Sequence, residues 1–294
     1  MIALINRISY EHYLNTLSLI IEGYIMTTEM TINNKYKLIE RIGAGNFGSI
    51  YKGQNIRTAE NVAIKIETID AAVKLLKNES VIYQYLNGCI GVPSVKWFGR
   101  DDKNYYMVIN LLGESLQSIK NRNRSLPLGI VLKIGIKIIT LLEVIHNKGV
   151  VHRDIKPENF LLGPNNDMDR IHIIDFGFGR SYLLNGGDGH IPQKKTHGII
   201  GSLTYASLNA HEMTELSRRD DMESLGYVLT NLYIGTLPWQ DMHATKIEEA
   251  KRQIAFQDGV PPVFKRYLQN VRCLNFEEAP DYAQLIKSFT SEIV

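Results

Sequence analysis

The stretch from Val151 to Phe160 constrains this chain more than any other, because it places three chemically different side chains on one short polar segment. Asp154 supplies a carboxylate, and Lys156 and Asn159 follow it by two and five positions. A carboxylate can accept a hydroxyl proton, a lysine can neutralise a transferring phosphoryl group, and a carboxamide can hold a metal ion. The stretch therefore predicts phosphoryl transfer to a hydroxyl, with Asp154 and Lys156 catalytic and Asn159 a metal ligand.

A glycine-rich run lies upstream, between two segments that have strand character. Tyr36–Ile42 precedes the run GAGNFG, and Ser49–Gly53 follows it. Glycines permit positive φ and let the backbone approach phosphates closely. The same spacing marks dinucleotide-binding folds, but there the glycines lead from a strand into a helix. Because a strand follows here, we predict a hairpin lid over a nucleotide, with contacts from Gly43, Gly45 and Gly48.

The next predicted strand, Asn61–Glu67, carries Ala63 and Lys65 on one face. A small residue leaves room for a flat base and a lysine suits its phosphates, although a solvated surface lysine would fit the same pattern. The segment Ala71–Leu86 then predicts a helix whose apolar stripe includes Glu79. A carboxylate on an inward face is costly unless it is paired. We therefore predict that Glu79 pairs with Lys65, and that both residues belong to the nucleotide site, Lys65 also being catalytic.

A hinge between two lobes is predicted at Asn110 to Gly113. Strands are predicted at Val95–Gly99 and Tyr105–Asn110, and the strand pattern ends at Leu111-Leu112-Gly113. A mostly helical stretch follows. Backbone groups of such a hinge could bind the edge of an adenine base, which requires no particular side chain.

A second carboxylate is expected to face the same phosphates as Asp154. A long helix over Leu128–Asn147, with apolar residues three and four apart, leads into the central stretch. Beyond that stretch, Arg170–Ile174 predicts a strand that ends at Asp175-Phe176-Gly177. Enough chain for a hairpin separates the two aspartates, so Asp175 is predicted to coordinate magnesium.

The segment from Phe178 to Ser207 is polar, glycine-rich and long, which is typical of a functional or mobile loop. Ser217 then precedes a predicted helix with an apolar stripe that includes Met222 and Leu225. Asp221 lies in the first turn of this helix. It can complement the helix dipole, or it can bind backbone amides of the stretch around Asp154. We expect it to do both.

The composition of the chain limits its domain size, its classes of partner and its cellular compartment. The 294 residues are enough for two lobes with full cores, and 44% apolar with 22% charged residues is ordinary for a globular protein. A net charge of +2, without a basic stripe interleaved with aromatics, favours neither a nucleic acid nor a membrane as partner. The only cysteines, Cys89 and Cys273, suit a reducing compartment, so an intracellular location in the cytoplasm or nucleus is expected. His146 and His172 lack a metal-like neighbour and are expected to be structural.

Residues 1–33 are predicted to form an N-terminal extension, with lobes at 34–110 and 111–294. The apolar run Leu19-Ile20-Ile21 is too short for a signal peptide. The most apolar long segment, around Leu128–Asn147, is interrupted by Lys133 and Lys137 and is expected to be a buried helix. A monomer is expected.

Taken in order, these motifs resemble those of the eukaryotic protein kinase family, and Lys156 is similar to the serine/threonine pattern. Within that family the chain resembles the casein kinase 1 group over about residues 34–290. The likeness is carried by the segments HRDIKPENFLL (152–162), IIDFG (173–177), HIP (190–192), GSLTYASLN (201–209), SRRDDMESLGYVL (217–229) and LPWQ (237–240).

The resemblance implies a two-lobed α+β kinase fold, with a small mainly β N-lobe carrying one main helix and a larger mainly α C-lobe. It implies an ATP-dependent serine/threonine kinase that phosphorylates protein substrates and uses Mg²⁺. A kinase-fold scaffold without catalysis is the alternative, but such relatives usually lack one of the residues that stand here as Lys65, Asp154 and Asp175. The adenine pocket implied by the resemblance, with Ile109 at its rear, comprises Ile42, Ile50, Ala63, Ile109, Leu112, Leu161 and Ile174.

Several positions depart from the pattern of the group. Asn110 replaces the acidic residue usual in the hinge, and Ser118 stands near a position used for ribose contact. The activation segment of a kinase corresponds here to the long loop from Phe178 to Ser207. The group does not usually need phosphate on this segment, and it favours acceptors that follow a phosphorylated or acidic residue. In the group, basic side chains beside the activation segment bind this negative charge. This chain has other residues at those positions, although Lys194, Lys195, Arg218 and Arg219 are nearby. We therefore expect little preference for pre-phosphorylated substrates, on the basis of Thr204, His197 and Glu248 or Glu249 at the replaced positions.

Overall fold

A computed structural model of the chain describes residues 30–45, 48–184, 187, 189–254 and 257–293. The glycine run at 43–48 is therefore described except for Asn46 and Phe47, and the predicted extension only from Met30 onwards.

A six-stranded antiparallel sheet forms the first lobe, in the order β1-β2-β3-β4-β6-β5. Val62 and Ile64 alternate with Ala63 and Lys65 along one strand, so the sheet buries the first pair and turns the second pair towards the other lobe. The strands are β1 Thr31–Ile32, β2 Tyr36–Gly45, β3 Gly48–Asn55, β4 Asn61–Thr68, β5 Val95–Arg100 and β6 Asn104–Asn110. β1 precedes residue 34, so the sheet begins ahead of the predicted lobe boundary.

The helix of this lobe, α1, spans Leu76–Tyr85 and is shorter than the predicted Ala71–Leu86. Its start is set by Glu67 on β4, whose Oε2 accepts hydrogen bonds from the backbone N–H groups of Leu75 (2.8 Å) and Leu76 (3.0 Å). A carboxylate at the N-terminus of a helix satisfies free N–H groups and complements the helix dipole. Because this cap comes from the preceding strand, the local pattern around residue 71 could not reveal it.

Helices dominate the second lobe. The long helix α3 (Leu128–Asn147) has the bounds predicted for it, and buried side chains such as Ile138 and Leu142 pack into the same core as Leu229 and Phe289. No helix in the described ranges is long and apolar enough to cross a membrane. The helices are α2 Leu116–Asn123, α3 Leu128–Asn147, α4 Leu208–His211, α5 Arg218–Ile234, α6 Ala244–Gln253, α7 Pro262–Arg272 and α8 Tyr282–Thr290.

Two small antiparallel pairs shape the face of this lobe that meets the sheet. β7 (Val150–Val151) pairs with β10 (Arg180–Ser181), and β8 (Phe160–Gly163) pairs with β9 (Asp167–Ile173). The β8–β9 hairpin supplies the return of the chain that the sequence predicted between the two aspartates. The two-lobed α+β kinase fold expected from the sequence is confirmed.

Candidate active site

A cavity of about 620 Å³ lies between the sheet and the helical lobe. Nearly all of the positions predicted for nucleotide, lysine and metal line this cavity, and Asp154 lies just outside its lining. The backbone of Gly45 pairs with Gly48 at the end of the β2–β3 hairpin. The predicted residues on its wall are Ile42, Gly43, Gly48, Ile50, Ala63, Lys65, Glu79, Ile109, Leu112, Lys156, Asn159, Leu161, Ile174 and Asp175.

The cavity also contains residues that sequence reasoning did not assign to a site. Tyr83 lies on α1 and Met107 on β6, where the pattern of the sequence indicated only burial. Ser202 lies in the long loop, and no local motif marks it as a site residue. Glu114 and Ser115 follow the hinge. Of the three polar residues Glu114, Ser115 and Ser118, only Ser118 had been singled out from the sequence, as a neighbour of the ribose. The Oγ atoms of Ser118 and Ser115 lie 3.1 Å apart, within hydrogen-bond distance.

Lys65 is held between two carboxylates. Its Nζ lies 2.7 Å from Oε2 of Glu79 on α1 and 2.9 Å from Oδ1 of Asp175. Burial lowers the pKa of Lys65, but the charges of Glu79 and Asp175 outweigh burial and raise it above its usual range, so the ammonium stays protonated. The predicted pairing of Lys65 with Glu79 is present, and it docks α1 against the sheet.

Asp175 occupies a strained backbone position. Its φ is +67°, in the left-handed region that non-glycine residues seldom adopt. Its N–H donates to the hydroxyl of Tyr83 on α1 (3.1 Å), and Asn78 of the same helix donates to the carbonyls of Gly177 and Gly179 (both 3.2 Å). Burial raises the pKa of Asp175, but the charge of Lys65 outweighs it and lowers the pKa below its usual value. The helix thus holds the conformation of this aspartate, and Lys65 on β4 keeps it charged.

Asp154 lies below the cavity wall with both carboxylate oxygens engaged. Lys156 Nζ donates to Oδ2 (2.6 Å), and the backbone N–H of Ser202 donates to Oδ1 (2.7 Å). Gly201 permits the second contact, because it has positive φ and a Cβ there would collide with the carbonyl oxygen of Arg153. The Nδ2 of Asn159 donates to the Asp154 carbonyl oxygen (2.8 Å), which fixes the orientation of its amide. The three side chains predicted from one stretch therefore form one connected group.

Asp221 fixes the backbone beneath this group. Its two carboxylate oxygens accept hydrogen bonds from the N–H groups of His152 (2.7 Å) and Arg153 (2.8 Å), while it also lies in the first turn of α5. Both roles predicted for Asp221 are therefore present. His146 completes a buried chain, with one ring nitrogen 3.0 Å from Asp221 and the other 2.7 Å from the Tyr282 hydroxyl, so it has the structural role expected of it.

The side chain of Asn110 in the hinge is held by Ser94. Its Oδ1 accepts hydrogen bonds from the N–H (3.0 Å) and hydroxyl (2.9 Å) of Ser94. The amide therefore ties the hinge to the start of β5, which leaves backbone groups to contact a base.

The donor set fits magnesium. Asp175 offers a carboxylate and Asn159 a carboxamide oxygen on the same cavity wall, and Mg²⁺ is usually bound by one or two such groups together with substrate phosphates. Across the residues with assigned positions, no group of three or more His, Cys, Asp or Glu residues could form a self-sufficient metal site. A metal here would therefore depend on a bound nucleotide.

Comparison with known families agrees with this geometry. The protein kinase domain family matches residues 36–290, a span that covers both lobes and the cavity between them. Such a domain implies a phosphotransferase that binds ATP and acts on protein substrates. With most of its length matched, and with the cleft residues of the two lobes brought together, the chain belongs to the protein kinase family.

Proposed function

We propose that the chain is an active, ATP-dependent serine/threonine protein kinase of the casein kinase 1 type that uses Mg²⁺. The observation that carries the proposal is the ion-paired chain Glu79–Lys65–Asp175, with separations of 2.7 and 2.9 Å. Kinases transfer phosphate only when the strand lysine is paired with the helix glutamate and the metal-binding aspartate is in place. Both conditions are supported by this chain of contacts.

The proposed reaction follows from the positions of the side chains. A substrate hydroxyl oxygen forms a bond to the γ-phosphorus of ATP, while the bond from that phosphorus to the bridging oxygen breaks and ADP leaves with the electron pair. Asp154 orients the hydroxyl and accepts its proton, and Lys156 offsets charge on the phosphoryl oxygens. Lys65 binds the other phosphates. Asn159 and Asp175 would hold magnesium when nucleotide is present, and the ion would offset negative charge on the phosphates.

Serine/threonine specificity is inferred from Lys156. Its ammonium bridges Asp154 (2.6 Å) and the hydroxyl of Ser202 (3.3 Å), so it ties the proposed base to the segment where a substrate would lie. The casein kinase 1 assignment rests on the segments Gly201–Asn209 and Ser217–Leu229. In the structure these segments are joined, because the Ser207 hydroxyl and the Asn209 amide both donate to Asp220 Oδ1 (2.7 and 2.9 Å).

The proposal is tested with Asp154→Asn on a peptide array, using purified protein, labelled ATP and Mg²⁺. We expect turnover to fall by about 10²–10⁴-fold, the usual contribution of a positioned general base, while the melting temperature stays close to that of the wild type. Asp169→Asn is the control, because that carboxylate is exposed on β9 and does not line the cavity. Full turnover by Asp154→Asn contradicts the mechanism, and a wild type that phosphorylates no array peptide contradicts the kinase activity and favours a scaffold.

A further inference from the structure

The carboxylate of Glu215, just before α5, is buried among cations. Its side chain is only 1% exposed. Oε1 lies 3.1 Å from a guanidinium nitrogen of Arg153, and Oε2 lies 2.8 Å from one of Arg180. Lys194 Nζ is 3.9 Å from Oε2 at the exposed edge of the cluster. Three cations from separate parts of the chain therefore converge on one buried carboxylate.

The backbone around Glu215 is bound to the middle of the long loop. The N–H of Glu215 donates to the Lys194 carbonyl oxygen (2.8 Å), and the N–H of Thr196 donates to the Met213 carbonyl oxygen (2.8 Å). Lys195 and Thr214 form an antiparallel bridge between these two contacts. The 194–196 segment is thus fixed against residues 213–215 by main-chain as well as side-chain contacts.

Arg153 connects this cluster to the catalytic stretch. It directly precedes Asp154, its φ is +67°, and its backbone N–H is held by Asp221. Its Nε donates to the carbonyl oxygen of Phe178 at the start of the long loop (2.7 Å). A displacement of the Arg153 side chain would therefore shift the start of the long loop at Phe178. It would also shift Asp154, which is one peptide bond away.

The charge balance of the cluster requires an anion. Arg153 and Arg180 are brought close together, and buried like charges are strongly unfavourable unless a partner compensates them. In many kinases a phosphate on the activation segment supplies that negative charge beside the arginine that precedes the loop aspartate. Here the chain supplies it itself, because Glu215 occupies the position between both guanidinium groups.

We propose that Glu215 is a positioning residue that takes the place of an activation-segment phosphate, holding Arg153, Arg180 and the 194–196 segment in the arrangement that supports catalysis. The inference rests on the proposed kinase function and says which residue keeps the catalytic site in its active arrangement. It explains physically how activity can be independent of phosphorylation, and it assigns to Glu215 a role that its sequence neighbours do not indicate.

The first test is Glu215→Gln, which keeps the shape of the side chain and removes its charge. Protein made in bacteria is treated with phosphatase before the assay. We expect kcat for a peptide substrate to fall about 10²-fold, as a small displacement of catalytic groups can cause, while KM for ATP changes little because the cluster lies outside the cavity. Glu212→Gln is the matched control, since its carboxylate lies on the same segment but pairs with Arg252 at the surface.

The second test is rescue of Glu215→Ala by an added anion. Removing the side chain leaves two arginines around a space that sulfate or inorganic phosphate can enter. Adding either anion, at an ionic strength matched with sodium chloride, should raise kcat at least several-fold and raise the melting temperature. The wild type and Glu212→Gln should show neither response beyond the effect of sodium chloride. The melting readout does not depend on catalysis.

The outcomes distinguish a failure of the proposed kinase function from a failure of the inference about Glu215. Failure of the kinase function would appear as a wild type without turnover. The inference about Glu215 is overturned if phosphatase-treated Glu215→Gln is as active as an active wild type. It is also overturned if Glu215→Ala gains neither activity nor thermal stability from sulfate or phosphate, because Glu215 would then be an ordinary structural carboxylate.

Discussion

Lys65 Nζ and Glu79 Oε2 lie 2.7 Å apart, although one residue is on a strand and the other on the helix that packs beside it. Glu79 is almost completely buried, and burial raises the pKa of its carboxyl, an effect that the ammonium of Lys65 offsets only in part. The helix is thus held in place by a charge that is tolerated only while its partner is present. Removing either partner should affect the position of the whole helix.

Lys65→Met tests this dependence. Without the ammonium, the pKa of the Glu79 carboxyl should rise further, so that Glu79 takes up a proton and α1 loses the ion pair that docks it against β4. We expect a loss of about 1–3 kcal/mol in the free energy of unfolding and a loss of ATP binding, measured by denaturant unfolding and nucleotide titration. Lys96→Met is the control, because its partner Glu60, also at 2.7 Å, is exposed. Equal effects of the two substitutions would contradict the argument.

Asp175→Asn tests the proposed metal site. The amide keeps the size of the side chain but loses the charge that attracts both Lys65 and a divalent cation. We expect Mg²⁺ to raise ATP affinity in the wild type and to do so at least ten times less in Asp175→Asn. Nucleotide titrations with and without Mg²⁺ measure the difference, and Asp102→Asn in the exposed β5–β6 turn serves as control. An unchanged magnesium effect would place the metal elsewhere.

Asp221→Asn should weaken both stability and turnover. The carboxylate accepts two backbone N–H groups of the catalytic stretch and contacts His146, so an amide cannot satisfy the same partners. We expect the free energy of unfolding to fall by about 2–3 kcal/mol. Burial raises the pKa of Asp221, but His146 and the other donors outweigh it and lower the pKa below 3.8. The stabilisation is therefore present above pH 4 and is lost as pH falls further, so the two unfolding curves should converge in acid.

Several contacts in the cleft could be predicted because the residues that make them follow a local pattern. The Lys65–Glu79 pair could be inferred because a glutamate on an apolar helical stripe needs a partner, and the double role of Asp221 followed from its place in a first turn. The bounds of α3 agreed with a simple three-and-four periodicity. The pattern that indicates each feature lies within a few residues, even though Glu79 and Asp221 bind partners 14 and 68–69 residues away.

Other features could not be predicted because their partners are distant in the chain. The start of α1 depends on Glu67 from β4, and Asn110 is turned by Ser94 from the segment before β5. Glu215 meets Arg153 and Arg180 only after the long loop has folded back. No short motif surrounds Glu215, so its position beside two arginines emerges only from the tertiary structure.

Lys251 on α6 leads to a prediction about pH. It is fully buried, and its Nζ donates to the carbonyl oxygens of Leu203 (2.8 Å) and Ala206 (2.6 Å). Burial lowers the pKa of Lys251 from 10.5 to about 7, with Glu223 opposing and Arg272 adding to that shift. The folded state therefore binds fewer protons than the unfolded state between pH 7 and pH 10.5, and Lys251 should make stability rise with pH in that window.

Lys251→Met should remove this rise. The free energy of unfolding of the wild type should gain up to about 1.4 kcal/mol per pH unit from Lys251 above pH 7, and the variant should lack that component. Chemical denaturation at several pH values measures it. His211, the neighbouring imidazole, stays neutral throughout because burial and Lys251 lower its pKa to about 4. Lys246→Met, on the exposed face of α6, controls for the loss of a lysine. Parallel wild-type and Lys251→Met curves would contradict the prediction.

Substrate choice depends on which cations remain free beside the long loop. Arg218 donates to the Glu277 carbonyl oxygen and lies over the Tyr182 ring at 4.6 Å. Arg219 donates to the carbonyl oxygen of Leu274 (2.7 Å). Both arginines are thus engaged with the C-terminal part of the helical lobe. The nearby arginines that the sequence offered as substitutes for a phosphate-binding pocket are therefore already in use. The two lysines also have partners, since Lys195 Nζ donates to the Glu212 carbonyl oxygen (3.1 Å) and Lys194 Nζ lies 3.9 Å from Glu215.

The residues at the replaced positions do not supply the missing charge. Thr204 contributes its carbonyl oxygen to Trp239 (2.8 Å), and a threonine hydroxyl is a neutral group. Glu248 is paired with Arg252 on α6 (2.7 Å). A phosphate is bound strongly by charge-assisted donors, of which bidentate arginine is the most effective. We therefore expect the native protein to use pre-phosphorylated and unphosphorylated peptides with similar efficiency.

Thr204→Arg should create a preference for pre-phosphorylated substrates. The measurement is kcat/KM for a matched peptide pair, with and without a phosphoserine three residues before the acceptor. The native ratio should lie near one, and one new charge-assisted contact should raise it about 10-fold or more. Thr204→Gln is the control for side-chain length without charge and should leave the ratio unchanged. A native preference of about a hundredfold, equivalent to roughly 2.7 kcal/mol, would mean that other residues bind the phosphate and that the interpretation of Thr204 is wrong.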